Sequence, residues 1–115
     1  MGKLLRSMSW AKKGLLTVLK EEDNFQVEIL ISIAVIVLGV IVHLSQIEWI
    51  FICISITIVL SAEIINTAIE DLCNKIEPNQ DETIGKIKDM MAAFVLTLCI
   101  GSVIIGIVIF TPHFF

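Results

Sequence analysis

The sequence predicts an all-α membrane protein with three transmembrane helices and an N-terminal surface helix. Apolar residues make up 57 % of the 115 positions and the mean hydropathy is +0.93, more than a soluble domain of this length carries. Three apolar runs approach the roughly 20 residues that a helix needs to cross a bilayer. So short a chain leaves room for one domain, residues 1–115, and buries too little to hide several carboxylates, so we expect it to oligomerise.

Residues 1–22 are predicted to form the amphipathic surface helix. Apolar residues recur there at helical spacing, while Lys and Arg side chains occupy the other faces. The basic side chains suit either anionic lipid head groups or the phosphates of a nucleotide, and Trp10 suits an anchor at the membrane interface. The acids at positions 21–23 could either cap the following helix or bind a metal ion.

Three apolar stretches are predicted to be membrane-embedded helices, namely residues 27–44, 47–72 and 90–110. Trp49 opens the second helix at a depth that indole rings prefer. This helix is longer than a bilayer demands, so its inner turns should project into the cytosol. Pro78 marks the next loop, and Thr83 is a possible cap for the third helix. Small residues in the third helix approximate a seam for close helix contact, namely Gly101, Ser102 and Gly106.

The distribution of charge predicts the orientation. Every Lys and Arg lies before the first crossing or between the second and third, and positive loops stay in the cytoplasm. The N-terminus is therefore expected in the cytoplasm and the C-terminus on the outer side of the membrane. This orientation gathers one lysine, Lys88, and five acids at the inner leaflet, namely Glu22, Glu28, Glu63, Glu70 and Asp89.

One helix face concentrates polar residues inside an apolar segment. Glu63, Asn66 and Glu70 fall within about 60° of one another at 100° per residue. Placing an ionisable group in such a segment costs free energy, which favours a functional role for Glu63. Alternatively, Glu63 and Asn66 could hydrogen-bond neighbouring helices, and Lys88 could pair with Glu70 or Asp89 only to neutralise them.

These groups suit a site where a polyanion and a divalent cation meet a lipid hydroxyl. Mg²⁺ takes one or two carboxylates with phosphate oxygens and waters, and Glu22 and Glu70 could supply them. Lys88 could neutralise a transferring phosphoryl group, and Glu63 could accept the proton of the hydroxyl. A cation or proton transporter is a rival, but the outer half of the second helix offers few polar residues, namely Cys53, Ser55 and Thr57.

The cysteines and histidines are predicted to have no catalytic role. Cys53, Cys73 and Cys99 show no C-x-x-C spacing and are predicted to be buried small apolar side chains. His43 and His113 lie at the outer ends of the apolar stretches, and both are predicted to be solvated.

Two sets of motifs resemble a known family. Glu63-Ile-Ile-Asn66-Thr-Ala-Ile-Glu70, followed by Ile87-Lys88-Asp89 and Ala92-Ala93, resembles the prokaryotic diacylglycerol kinase and undecaprenol kinase family. Upstream, residues 7–15 resemble the family's S-F-x-[YF]-A-x-x-G-L segment, and residues 22–25 its E-x-N-F segment. The resemblance spans nearly the whole chain.

The resemblance implies a homotrimeric lipid kinase whose active sites are shared between neighbouring protomers. It would lie in a bacterial cytoplasmic (inner) membrane and use Mg²⁺ and ATP to phosphorylate undecaprenol or diacylglycerol at the cytoplasmic face, with no nucleic-acid partner. Glu63 would be the general base, and Glu22 and Glu70 would hold the metal. The implied ATP site comprises Trp10, Glu22, Asn66, Glu70, Lys88 and Asp89, and the implied lipid site comprises Glu63 and Glu28.

Several positions depart from the family pattern. Asn74 stands where an aspartate usually follows the second-helix glutamate by four residues, and Gln26 stands where a basic residue is common. Asp81 replaces a frequent histidine, and Met91 and Phe94 replace small residues. These departures leave a second interpretation open, in which the protein is a catalytically weak or inactive membrane scaffold that binds a lipid or a partner.

Overall fold

The computed structural model describes all residues from 1 to 115 as four helices with short connections. They are α1 (Gly2–Glu21), α2 (Asp23–Ile41), α3 (Gln46–Ile76) and α4 (Glu82–Phe114). The all-α class is confirmed, and so is the presence of three helices, α2, α3 and α4, that are long and apolar enough to cross a membrane. The N-terminal segment is helical, while its amphipathic placement on the membrane surface stays a prediction.

The helix bounds differ from the predicted crossings at both ends of the bundle. The end at the loop between α3 and α4 is called the inner end and the opposite end the outer end, after the predicted orientation, which stays a prediction. Helix α2 ends at Ile41, three positions earlier than predicted, and His43 in the following turn has a left-handed φ of 59°. Helix α3 continues to Ile76 and α4 already begins at Glu82, so both extend past their apolar runs at the inner end. Helix α3 thus ends four positions beyond the predicted boundary at residue 72, and the projection of its inner turns into the cytosol stays a prediction.

Side chains cap the two long helices. The Ser45 hydroxyl accepts a hydrogen bond from the Glu48 N–H at 3.2 Å, and the Glu48 carboxylate accepts one from the Ser45 N–H at 2.9 Å, which is a capping box. At the start of α4, the Asp81 carboxylate accepts a hydrogen bond from the Ile84 N–H at 3.0 Å. The predicted cap at Thr83 is therefore wrong.

Helices α3 and α4 form an antiparallel hairpin whose small apolar core lies at the outer end. Leu44, Ile52 and Ile109 are its buried members, with Trp49 packed against them. Gly39 lets α2 approach this core, since a Cβ there would lie 2.7 Å from the Trp49 ring and 2.8 Å from the Leu44 side chain.

A polar contact joins the outer ends of the same two helices. His113 Nε2 lies 3.0 Å from a carboxylate oxygen of Glu48, so the first turn of α3 is tied to the last turn of α4. His113 and His43 are both exposed, as predicted, but the contact of His113 with Glu48 was not predicted.

The single chain is thin and open. It measures 51 × 42 × 20 Å, and only 11 of its 115 residues are buried, so most large apolar side chains of the three long helices face outward. Such faces suit lipid tails or other copies of the chain. The predicted homotrimer remains a prediction.

Candidate active site

A cleft between the inner halves of α3 and α4 gathers three of the predicted site residues. Asn66 and Glu70 line it from α3, one helical turn apart, and Lys88 lines it from α4. Its volume is about 160 Å³, and apolar side chains complete its wall, namely Ile69, Met91 and Ala92. Lys88 of α4 thus shares a cleft with the polar face that was predicted on the second transmembrane helix.

Glu63 lies two helical turns from Glu70 toward the outer end of α3. Its side chain is only 3 % exposed, and its Oε2 atom is buried without a hydrogen-bond partner. A buried carboxylate oxygen without a donor is costly, and a substrate hydroxyl would supply the missing donor. This environment suits a group that accepts a proton from a hydroxyl.

The surroundings of Glu63 come from the two other long helices. The Glu28 carboxyl of α2 lies against the Glu63 carboxyl, and its own Oε2 atom is also buried and unpartnered. From α4, the Cys99 thiol approaches Glu28 Oε1 at 4.0 Å. Glu28, Glu63 and Cys99 form a junction between three helices, which brings together the two residues predicted to contact the lipid alcohol.

The cysteine prediction is correct only in part. Cys73 is buried, whereas Cys99 is half-buried beside a carboxylate and Cys53 is exposed. Sequence reasoning missed the position of Cys99, because helical periodicity does not say which apolar-looking residue of α4 faces an acid on α2.

The connection between α1 and α2 adds further carboxylates to the inner end. Burial raises the pKa of Glu22 above its usual value, and the negative charges of Glu70 and Glu63 raise it further. One position earlier, the neighbouring Asp71 carboxyl raises the pKa of Glu21. The end of α1 therefore lies over the inner half of α3, and the predicted metal residues Glu22 and Glu70 face the same region.

No lysine or arginine lies within 4 Å of a carboxylate oxygen in this chain, since the one ion pair joins Glu48 to His113 at the outer end. No basic side chain thus offsets the negative charge of Glu22, Glu63 and Glu70. A divalent cation would offset it.

The donor set fits Mg²⁺ bound together with phosphates. The chain brings no three His, Cys, Asp or Glu side chains together as a complete metal site. Glu22 and Glu70 offer two carboxylates, which is the number that Mg²⁺ uses when phosphate oxygens and waters complete its octahedron. A structural zinc site would need four protein ligands instead.

Lys88 contacts neither acid that could neutralise it. Its Nζ donates a hydrogen bond to Asn74 Oδ1 at 2.7 Å and lies more than 4 Å from the carboxylates of Glu70 and Asp89. The alternative in which Lys88 merely neutralises these acids is not what the structure shows. The contact with Asn74 was missed, because two residues on either side of a loop carry no joint sequence signal.

A second, larger cleft lies beside the first at the loop between α3 and α4. Its volume is about 540 Å³, and Lys88 borders both clefts. The other lining residues are mostly polar, namely Asn74, Glu77, Pro78, Asn79, Gln80, Asp81, Glu82, Ile84 and Gly85.

Three residues of the implied ATP site line neither cleft, namely Trp10, Glu22 and Asp89. Trp10 lies on α1 with 64 % of its surface exposed, and Asp89 is exposed on α4 next to Lys88. Their assignment to the nucleotide site stays a prediction.

The chain is similar to known proteins over nearly its whole length. The model of the prokaryotic diacylglycerol kinase family matches residues 9–110. An undecaprenol kinase from Bacillus subtilis is 33 % identical over 112 residues, which cover 97 % of this chain and 91 % of that protein. Diacylglycerol kinases from Haemophilus influenzae and Escherichia coli are 29 % and 27 % identical, over 93 % and 97 % of this chain and 92 % of each relative.

Proposed function

The chain belongs to the prokaryotic diacylglycerol kinase family, and on that premise we propose that it transfers the γ-phosphoryl group of ATP to a lipid alcohol at the cytoplasmic membrane face. The observation that carries this proposal is the convergence of Asn66, Glu70 and Lys88 on one cleft, two helical turns from the buried and unpartnered carboxylate of Glu63. The acceptor is undecaprenol or diacylglycerol, since relatives of both kinds match the chain.

In the proposed reaction, the lipid hydroxyl enters the junction of α2, α3 and α4. Glu63 accepts the hydroxyl proton as the lipid oxygen attacks the γ-phosphorus, the bond to the β,γ-bridging oxygen breaks, and ADP leaves. Glu28, which lies against Glu63, holds the acceptor beside the base. The buried environment excludes water, so phosphoryl transfer to water is disfavoured.

The nucleotide side of the site lies at the inner end of the hairpin. Asn66 donates hydrogen bonds from its amide to phosphate oxygens, and the Lys88 ammonium offsets negative charge on the transferring group. Glu22 and Glu70 are the residues that would hold Mg²⁺. When bound, this ion neutralises phosphate charge and orients the β- and γ-phosphates. Transfer from ATP therefore uses residues of α3, α4 and the α1–α2 connection.

The decisive experiment follows labelled γ-phosphate from Mg²⁺-ATP into undecaprenol and, separately, into diacylglycerol in mixed micelles. Glu63→Gln should lower the rate about 10²- to 10⁴-fold, which is the usual contribution of a positioned general base. Glu48→Gln is the matched control, because Glu48 lies on the same helix at the outer end. Its transfer rate should stay within about twofold of the native rate, since it contacts no reacting group.

Label on one lipid, lost in Glu63→Gln and kept in Glu48→Gln, would support the kinase and identify its acceptor. Absence of transfer to both lipids from well-folded protein would refute it and favour the inactive scaffold that the departures at Asn74 and Phe94 suggest.

A further inference from the structure

One side-chain hydrogen bond joins the inner ends of α3 and α4. It runs from Lys88 Nζ to Asn74 Oδ1 over 2.7 Å, across the loop that separates the two helices. Elsewhere, His113 contacts Glu48 at the outer end, and Cys99 and Glu63 contact Glu28 at the junction of α2, α3 and α4. Lys88 Nζ makes no second hydrogen bond to a side chain and no ion pair. At the inner end, the position of the Lys88 ammonium therefore depends on one residue, Asn74.

This contact matters because Lys88 is surrounded by acids that it does not contact. Glu70 lines one of its clefts and Asp81 lines the other, yet neither carboxylate lies within 4 Å of the ammonium. An amide oxygen accepts a hydrogen bond without carrying a negative charge. Asn74 thus fixes the direction of the lysine while its positive charge stays free of a counter-ion.

The contact also fixes Lys88 at the boundary between the two clefts. A lysine side chain has four rotatable bonds, and ordering it costs up to about 2 kcal/mol of rotamer entropy. If the side chain is already held near the Asn66–Glu70 cleft, less of this entropy is lost when a phosphate binds. An aspartate, which the family pattern usually has at this position, would hold the same lysine but would also neutralise it.

We infer that Asn74 is a positioning residue: its amide oxygen holds the Lys88 ammonium at the mouth of the Asn66–Glu70 cleft and leaves its charge available to a phosphate of the nucleotide. This inference rests on the proposed function, because it assigns the phosphate to a bound ATP. It does not require Asn74 to touch the nucleotide.

The first test measures the Lys88–Asn74 contact without nucleotide or lipid substrate. Full-length protein in micelles is treated with acetic anhydride, and the acetylation rate of Lys88 is read by mass spectrometry relative to that of the exposed Lys86. Asn74→Ala should raise the relative rate about three- to tenfold, the effect of losing one hydrogen bond to a charged group at a partly exposed site. Asn74→Asp should restore the protection, because a carboxylate oxygen accepts the same N–H.

The second test measures affinity for β,γ-methylene-ATP with Mg²⁺ in four proteins: native, Asn74→Ala, Lys88→Met and the double variant. Asn74→Ala should weaken binding about three- to tenfold in the native background. It should change binding less than about twofold in the Lys88→Met background, because a residue that acts only through Lys88 has nothing left to position.

Two results would overturn the inference. One is unchanged Lys88 acetylation in Asn74→Ala. The other is a loss of affinity in Asn74→Ala that persists in the Lys88→Met background, which would mean that Asn74 contacts the nucleotide itself. Neither test depends on turnover, so a protein with the expected acetylation and binding but no phosphoryl transfer would refute the proposed function and leave the role of Asn74 standing.

Discussion

Glu63→Gln should stabilise the protein while it abolishes phosphoryl transfer. In the native chain, the carboxyls of Glu63 and Glu28 face each other, and each has a buried oxygen without a hydrogen-bond partner. Glutamine has nearly the same shape but carries an N–H₂ donor, so at position 63 it can donate a hydrogen bond to the Glu28 carboxylate. Loss of function with gain of stability is the pattern expected of a residue kept for chemistry rather than for packing.

The size of the stability change follows from this geometry. A hydrogen bond to a charged group stabilises the folded state by about 1.5–3 kcal/mol. Ordering the new amide at the junction costs part of this free energy, so the net stabilisation is about 1 kcal/mol. For a chain of this length, that corresponds to a rise of about 4 °C in the unfolding midpoint. Circular dichroism melts in one detergent, without nucleotide, measure it directly.

Two variants control this measurement. Glu28→Gln places the same donor on the opposite side of the junction and should give a similar rise. Glu48→Gln removes a charge from α3 but weakens its capping box and its contact with His113, so its midpoint should fall. A fall in the midpoint of Glu63→Gln by more than about 4 °C would refute the reasoning, because it would mean that the native carboxylate is well satisfied and structural.

Four further results are expected. Because the raised pKa of Glu22 makes the folded protein bind more protons than the unfolded chain, stability without Mg²⁺ should fall as pH rises from the usual glutamate value through the raised one. Mg²⁺ at tenfold its dissociation constant should restore about 1.4 kcal/mol in melts of the native protein but not of Glu22→Gln. Gly39→Ala should cost about 1–3 kcal/mol in the same melts, because its Cβ would lie 2.7 Å from Trp49, whereas Gly85→Ala, with nothing within 4 Å, should cost none. A Cβ at Gly101 would also meet nothing within 4 Å in one chain, so Gly101→Ala should leave the fold intact. If the predicted small-residue seam is an interface between copies, the same variant should weaken cross-linking between them. Unchanged cross-linking would contradict the seam.

The sequence predicts those parts of the molecule that depend on periodicity and composition. Three helices apolar enough to span a membrane follow from long runs of Ile, Val and Leu, and α1 follows from apolar residues that recur at helical spacing. The shared face of Asn66 and Glu70 follows from their spacing of four residues, and the structure places both on one cleft. The capping box of Ser45 and Glu48 was missed, although Ser-x-x-Glu before an apolar run is its signature.

Contacts between helices are the parts that the sequence could not predict. The lysine of the K-D motif was expected near acids, but its partner is Asn74, across a loop. Likewise, Cys99 lies beside Glu28 although 71 positions separate them. Such pairs depend on the rotation of each helix about its axis and on side-chain rotamers, and a helical repeat in one sequence constrains neither closely enough.

The structure also divides the site into a part that one chain completes and a part that it leaves open. The proposed base is 3 % exposed and lies against Glu28 of α2, which Cys99 of α4 contacts in turn, so its environment is formed within one protomer. On the nucleotide side, Trp10 is 64 % exposed and Asp89 is exposed, and neither lines a cleft of the chain that carries it. If copies share active sites, as the family resemblance implies, the sharing therefore concerns ATP rather than proton transfer, and loss of assembly should weaken nucleotide binding before it disturbs the junction around Glu63.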